Sequence, residues 1–360
     1  MINTKTIFIA PLNWGLGHAT RCIPIINHLK NLGHKIILGS DGGAFQLLQL
    51  EFPGLPVVKL PGYDITYPDN DRFTLHMIQS SPKILSAIRQ EKKELGRIVK
   101  EHCIDVIISD NRYGMFHKNA KSIIITHQPN ILAPVFSTLV SSIHKNFLNK
   151  FDEIWIPDIE KMNGLSGQLS HPVKGLRNVK YVGILSRFSQ PVETNSPQKK
   201  INKPYILAIL SGPEPQRSIF EHLIIKQAKS LDHHVVIVGG QYQTGKPLDM
   251  ANNLTYIPFA SGAQLHGLIT HSTACISRSG YSSIMDYMTL RKSAIIVPTP
   301  GQIEQEYLAD HLSQKGLFMA VSQKKFNLKE TLGSFKTFQP NFKIFDSFKN
   351  ELFYDLLNNI

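Results

Sequence analysis

Short apolar runs alternate with helix-like stretches along nearly the whole chain, and they do so in two separate series. Residues 6–10, 35–39, 104–109, 122–126, 153–156 and 179–182 are rich in Ile, Val and Leu and read as buried strands. Helices are expected over about 18–32 and over 82–101, where Ile84, Leu85, Ile88, Leu95 and Ile98 recur at helical spacing. The second series has strand-like runs at 205–210, 234–238, 254–257, 274–277 and 294–297. A β-α-β alternation of this kind builds a parallel sheet with helices on both faces. The expected fold class is therefore α/β: two Rossmann-like, doubly wound domains with a ligand cleft between them.

Between the series, SQPVETNSPQKKINKP has prolines, polar residues and no periodicity, and it reads as a linker. The expected domains are 1–188, the linker 189–204, a second domain 205–340, and a terminal helix within 341–360. A chain of 360 residues exceeds what one core comfortably fills. Hydrophobic residues at 42% and charged residues at 18% exclude a disordered chain. The cysteines, Cys22, Cys103 and Cys275, form no Cys-x-x-Cys pair, which fits a reducing cytoplasm better than a disulfide scaffold. No leader-like segment opens the sequence and no run of 18 apolar residues occurs, so a cytoplasmic location is expected.

Charge is the unexplained feature. The formal balance is +12, and residues 1–190 hold 22 Lys+Arg against 14 Asp+Glu. With no zinc finger, RNP motif or basic helix, nucleic acid is not the expected partner. An anionic ligand or an anionic membrane surface remains, and the apolar stretch 131–148, with His144, Lys145 and then Lys150, is the segment that would meet one. The same stretch is equally read as a core helix.

Three strand-to-helix turns carry the candidate chemistry. The first is Asn13-Trp-Gly15-Leu-Gly17-His18, where glycines permit close approach of an anion to backbone N–H groups. Thr20 stands where a dinucleotide fingerprint needs its third glycine, which disfavours an NAD enzyme. His18, at the carboxyl edge of the sheet, is a candidate general base. The second turn is Arg278-Ser279-Gly280-Tyr-Ser282, with Asp286 two helical turns on; its hydroxyls and amides suit a diphosphate and its acid a ribose. The third holds Gln302, Glu304 and Gln305, whose amides and carboxylate suit the hydroxyls of a sugar. Asp110 and Arg112 end another strand, and Arg112 is read either as pairing with an anionic acceptor or with Asp110 itself.

Taken together, Gly15-Leu-Gly17-His18, Arg278-Ser279-Gly280 through Asp286, and Val297-Pro298 through Gln305 resemble the GT-B glycosyltransferases of family 28. That family is typified by the enzyme that adds N-acetylglucosamine to the lipid-linked peptidoglycan precursor. The resemblance implies an inverting, metal-independent transfer from a nucleotide-diphosphate sugar, a UDP-sugar above all, to a hydroxyl. The acceptor would be anionic or lipid-linked, with peripheral contact at an anionic membrane and a cell-envelope glycan as product.

No cofactor is implied beyond the nucleotide sugar as substrate. The resemblance puts the base of the nucleotide near Phe259, the ribose on Asp286, the diphosphate by Ser279 and Gly280, and the sugar at Glu304 and Gln305; Ser282 and Gln302 stand beside them in the same two turns. Gly15, Gly17, Ser211, Gly212 and Arg278 join the donor-binding set, and Arg112, His127 and Asn130 fall on the acceptor side. His18 or Asp110 would be the base. The family's glycine-rich turn is replaced by Leu210-Ser-Gly-Pro-Glu-Pro-Gln-Arg217, whose two prolines offer no N–H. The string from Gly15 to Cys22 also resembles the UDP-sugar hydrolases of pseudaminic acid synthesis, so transfer and hydrolysis both stay open, as does a nucleotide-sugar-binding protein without turnover.

Overall fold

The computed structural model describes residues 4–63, 73–132, 137–161, 164–189, 201, 203–241, 251–345 and 351–360. The chain forms two compact units. Most of the 189–204 segment expected as a linker lies outside the described residues.

The first unit contains β1 (Thr6–Pro11), α1 (Gly17–Asn31), β2 (Lys35–Ser40), α2 (Gly42–Glu51), β3 (Val57–Lys59) and α3 (Phe73–His102). It continues through β4 (Val106–Asp110), β5 (Lys121–Ile125), α4 (Ser137–Leu148), β6 (Glu153–Ile156) and β7 (Val179–Tyr181). Its seven strands lie in the order β3-β2-β1-β4-β5-β6-β7, all parallel. Ile7, Phe8, Ile9 and Ala10 of β1 are completely buried, as a strand covered on both faces must be. Strand order reverses between β1 and β4, where Pro11 lies opposite Asp110. Ligands of open α/β sheets bind at such a reversal, beyond the carboxyl ends of the strands.

The second unit holds β8 (Tyr205–Ile209), α5 (Gln216–Ala228), β9 (His234–Val238), β10 (Leu254–Ile257), α6 (Gly262–His271) and β11 (Ala274–Ser277). It is completed by α7 (Tyr281–Thr289), β12 (Ile295–Ile296), α8 (Ile303–Gln314), β13 (Met319–Ala320) and α9 (Leu328–Phe335). The order β10-β9-β8-β11-β12-β13 is again wholly parallel and again reverses beside the first strand, between β8 and β11. Ile206, Ala208, Phe220, Ile224, Val235, Ile237 and Ile276 form its core. Two doubly wound α/β units are thus present, as the alternation predicts.

The terminal segment carries a short 3-10 turn at Phe342–Phe345 and then α10 (Glu351–Asn358). This last helix belongs to the first unit and lies on α1. Phe353 and Leu357 are buried, the His28 and Tyr354 rings are 4.9 Å apart, and Lys5 Nζ donates to the Ile360 carbonyl.

Candidate functional site

In the first unit, the β1–α1 turn delivers His18 to the strand-order reversal. Gly15 has φ +79°, a conformation glycine adopts without steric cost, and this lets the chain turn before α1 begins. His18 Nδ1 lies 2.6 Å from Asp110 Oδ1. One helical turn further, Arg21 donates through Nε and Nη2 to both oxygens of Asp110. Its Nη1 is 3.1 Å from His127 Nδ1, and its Nη2 is 2.9 Å from His18 Nδ1. His127 follows β5, so three elements, α1, β4 and the end of β5, converge on one buried carboxylate.

The electrostatics of this cluster follow from burial and from Arg21. Burial would raise the Asp110 carboxyl, but the Arg21 guanidinium and then His18 outweigh it and hold it down at about 2. His18 is lowered, first by burial and then by the Arg21 charge, although Asp110 pulls the other way. At neutral pH the ring is therefore uncharged and the carboxylate ionised. Two bare acceptors do not approach to 2.6 Å, so the proton lies on Nδ1 and the lone pair on Nε2. A neutral imidazole with its far nitrogen open is what a general base requires. Asp110 has no exposed surface, and both its oxygens are taken up by His18 and Arg21.

Arg112 departs from the acceptor-side expectation. It is wholly buried, pairs with Asp41 and, at 2.7 Å, with Glu91, and donates to the carbonyls of Pro11 and Pro61 at 3.0 Å. It pins the ends of β1 and β4 to α3 and faces neither Asp110 nor solvent. Asn111, with φ +57°, makes the tight turn that sends the two neighbouring side chains to different partners. Asn130 also proves to be a tie: its Nδ2 donates to the carbonyls of Gln168 and Pro172 at 3.1 and 3.0 Å.

In the second unit, Arg278 likewise turns inward. It is 1% exposed, lies 4.2 Å above the Phe220 ring, and donates to the carbonyls of Gln216, Val297 and Pro298. Burial pushes its guanidinium down to about 9. Its Nη1 and Nη2 donors thus point at strand ends and a helix start. Ser279 is also buried, its hydroxyl donating to the Gln305 carbonyl at 2.8 Å. Gln305 Oε1 accepts from the Thr299 N–H at 2.9 Å, which fixes the loop before α8.

Gly280 caps α7 with backbone alone, and a side chain there would meet nothing within 4 Å. Ser282, Gln302, Glu304 and Phe259 are half-buried, and Asp286 is buried on α7. The β8–α5 turn carries Ser211 and Gly212, the latter with φ +99°. Here the structure adds a residue that sequence reading passed over. Glu214 accepts from the Ser218 N–H at 3.1 Å, from Arg217 Nε at 2.6 Å and from Gln241 Nε2 at 2.7 Å. A carboxylate of the chain itself thus occupies an amide at the start of α5, and Pro213 and Pro215 contribute none. Ser211 and Gly212 therefore adjoin a turn already supplied with an anion.

Arg21 was also missed as a functional residue, although its position three after His18 on a helix puts the two side chains on one face.

Residues 207–340 match the glycosyltransferase family 28 C-terminal domain, and residues 11–126 match glycosyl transferase family 1. A Methanosarcina acetivorans protein named as an uncharacterized glycosyltransferase is 23% identical over 327 residues, 84% of this chain and 82% of that relative. Among solved structures, the glycotransferase of kitacinnamycin superposes with a TM-score of 0.65 at 12% identity, covering 99% of this chain and 94% of that one. MurG of Acinetobacter baumannii superposes with a TM-score of 0.56 at 14% identity over 99% of this chain and all of its own. These likenesses establish the fold.

Proposed function

We propose that this chain, a GT-B glycosyltransferase resembling family 28, transfers a sugar with inversion from a nucleotide-diphosphate donor to a hydroxyl, using His18 as the base. The observation that carries the reading is the 2.6 Å contact of His18 Nδ1 with a carboxylate held ionised by Arg21. In the proposed step, Nε2 takes the proton of the acceptor hydroxyl as its oxygen bonds to the anomeric carbon. The carbon–oxygen bond to the diphosphate breaks on the opposite face, and the nucleoside diphosphate leaves with the bonding pair. Asp110 stabilises the imidazolium so formed without itself taking the proton.

For the donor, the reading assigns the diphosphate to the start of α7, at Gly280 and Ser282. The backbone cap at Gly280, with open space beside it, and a first turn free of acidic residues favour an anion there. Asp286 would take the ribose, Phe259 the base, and Gln302 with Glu304 the sugar. A nucleoside diphosphate is the favoured class, since a similar solved structure is that of the glycosyltransferase VinC in complex with DTDP; a UDP-sugar follows from the family resemblance. The chemistry calls on no metal, so turnover should persist in EDTA.

The basic excess of residues 1–190 supports an anionic or lipid-linked acceptor. So do Lys92, 4.5 Å from the Phe116 ring, and Lys150, 4.6 Å from that of Phe147, with Ile143 of α4 exposed nearby in sequence.

The test is a panel of nucleotide sugars with and without hydroxyl acceptors, read by nucleoside diphosphate release and by the anomeric configuration of the product. His18→Ala is expected to lower turnover by about 10²–10⁴ with donor saturating. Retained configuration refutes inversion. Full release in the absence of any acceptor, unchanged when one is added, assigns the hydrolase chemistry instead.

A further inference from the structure

We infer that Arg21 is a positioning residue that fixes the tautomer of His127, holds the Asp110 carboxylate against His18 and cancels the charge that would otherwise hold a second proton on His18. The inference rests on the reading of His18 as the base, but the geometry behind it belongs to the first unit alone.

A buried carboxylate beside a histidine ordinarily favours the imidazolium, because the negative charge is close and poorly screened. Here the same carboxylate is engaged on both oxygens by a guanidinium that is itself 1% exposed. Its donors reach in three directions: two to Asp110, one to His127 Nδ1 at 3.1 Å, while Nη2 also stands 2.9 Å from His18 Nδ1. Guanidinium nitrogens only donate, so His127 must present a lone pair at Nδ1 and, when neutral, carry its proton on Nε2.

His18 is constrained the other way. Its Nδ1 is nearer to Asp110 than to Arg21, 2.6 against 2.9 Å, and the shared proton lies on that shorter line. The Nη2 contact brings the guanidinium charge to the same edge of the ring, where a second proton would be disfavoured. Asp110 thus leaves His18 an acceptor at Nε2, while Arg21 leaves His127 a donor at Nε2.

The charged and titratable groups around the dyad are few. Arg21 and Cys22 come from α1, Asp110 from β4, Tyr113 from the loop after it, and His127 from the end of β5. Cys22 Sγ lies 3.9 Å from Asp110, and burial raises its thiol and the Tyr113 phenol far enough that neither ionises near neutral pH. Burial and Arg21 lower His18 while Asp110 raises it, so loss of Arg21 removes one depressing charge and exposes the carboxylate as well.

The experiment is histidine-selective ¹⁵N NMR on the substrate-free protein, with the 15 histidines resolved through the His18→Asn and His127→Asn variants. In the wild type, His18 is expected as the Nδ1–H tautomer and His127 as the Nε2–H tautomer. Arg21→Met should move the His18 midpoint upward by roughly one pH unit or more and carry the acid limb of kcat/KM with it. Arg21→Lys keeps a charge but not the fork; His18 should stay low while the fixed tautomer of His127 is lost.

An Nε2–H tautomer at His18 in the wild type, or an Arg21→Met midpoint that is unchanged or lower, overturns the inference. If Arg21→Met does not fold, the wild-type tautomers decide alone. Since no substrate is used, a protein with the expected tautomers and no transferase turnover would count against the functional reading and not against Arg21.

Discussion

Asp110→Asn isolates the buried carboxylate with the smallest change of shape. In the wild type, Asp110 accepts from His18 at 2.6 Å and from Arg21 at both oxygens, with no exposed surface. An asparagine keeps one acceptor oxygen and turns an NH2 toward either His18 Nδ1 or Arg21. Toward Arg21 it places donor against donor and leaves a buried cation uncompensated, which costs on the order of 3–5 kcal/mol. Toward His18 it takes the wrong partner and forces the ring to the Nε2–H tautomer, which abolishes the base. Either way turnover should fall by about 10³–10⁴, the order seen when the orienting acid of a catalytic triad is neutralised.

The pH dependence of stability gives a second reading of the same variant. The wild-type carboxyl is depressed from its ordinary 3.8 to about 2. That difference contributes about 2 kcal/mol of stability. The contribution is present above pH 4 and is lost as pH falls from there to about 2, because in that window the unfolded state binds the proton and the folded state does not. Urea unfolding of both proteins at pH 7 should therefore show the variant's full deficit, and the gap should begin to close only below pH 4. Turnover of Asp110→Asn within threefold of wild type across pH 6–8, in a protein that is folded, would refute the Asp110–His18 dyad.

Arg112→Met leaves Asp41 and Glu91 without their buried counter-charge and should lower the urea-derived stability by about 3–5 kcal/mol. A stable Arg112→Met with a weakened acceptor KM would return that residue to the substrate. Removal of residues 351–360 uncovers α1 where Phe353 and Leu357 pack, and should cost about 3–6 kcal/mol at 1.5–3 per buried side chain, read as a lower Tm of the first unit. Flotation with anionic vesicles is expected to retain the protein at low salt and release it at high salt; no retention at low salt ends the peripheral-membrane proposal.

Much of the fold was open to sequence reading because parallel strands buried on both faces are written as uninterrupted apolar runs. The strands β3 and β13 were not, since three and two residues are too few to carry a period. His18 was legible because a strand, a glycine turn and a helix start place a residue at the carboxyl edge whatever surrounds it. The partners of Arg112 and Arg278 were not legible for one reason. Each stands beside a plausible local partner or ligand in sequence, yet its actual partners lie 19 to 101 residues away.

The amino-acid sequence alone determined two doubly wound units, the turns that end their first strands, and the candidacy of His18, because these follow from local periodicity and glycine placement. Only the tertiary structure decided that Asp110 is buried against His18, that Arg21 binds it from the helix of His18, and that Glu214 occupies the start of α5. It also decided that the chain's last helix belongs to its first unit. The physical reason is that the free energy of a side chain depends on every neighbour within a few ångströms, and only the folded chain sets which neighbours those are.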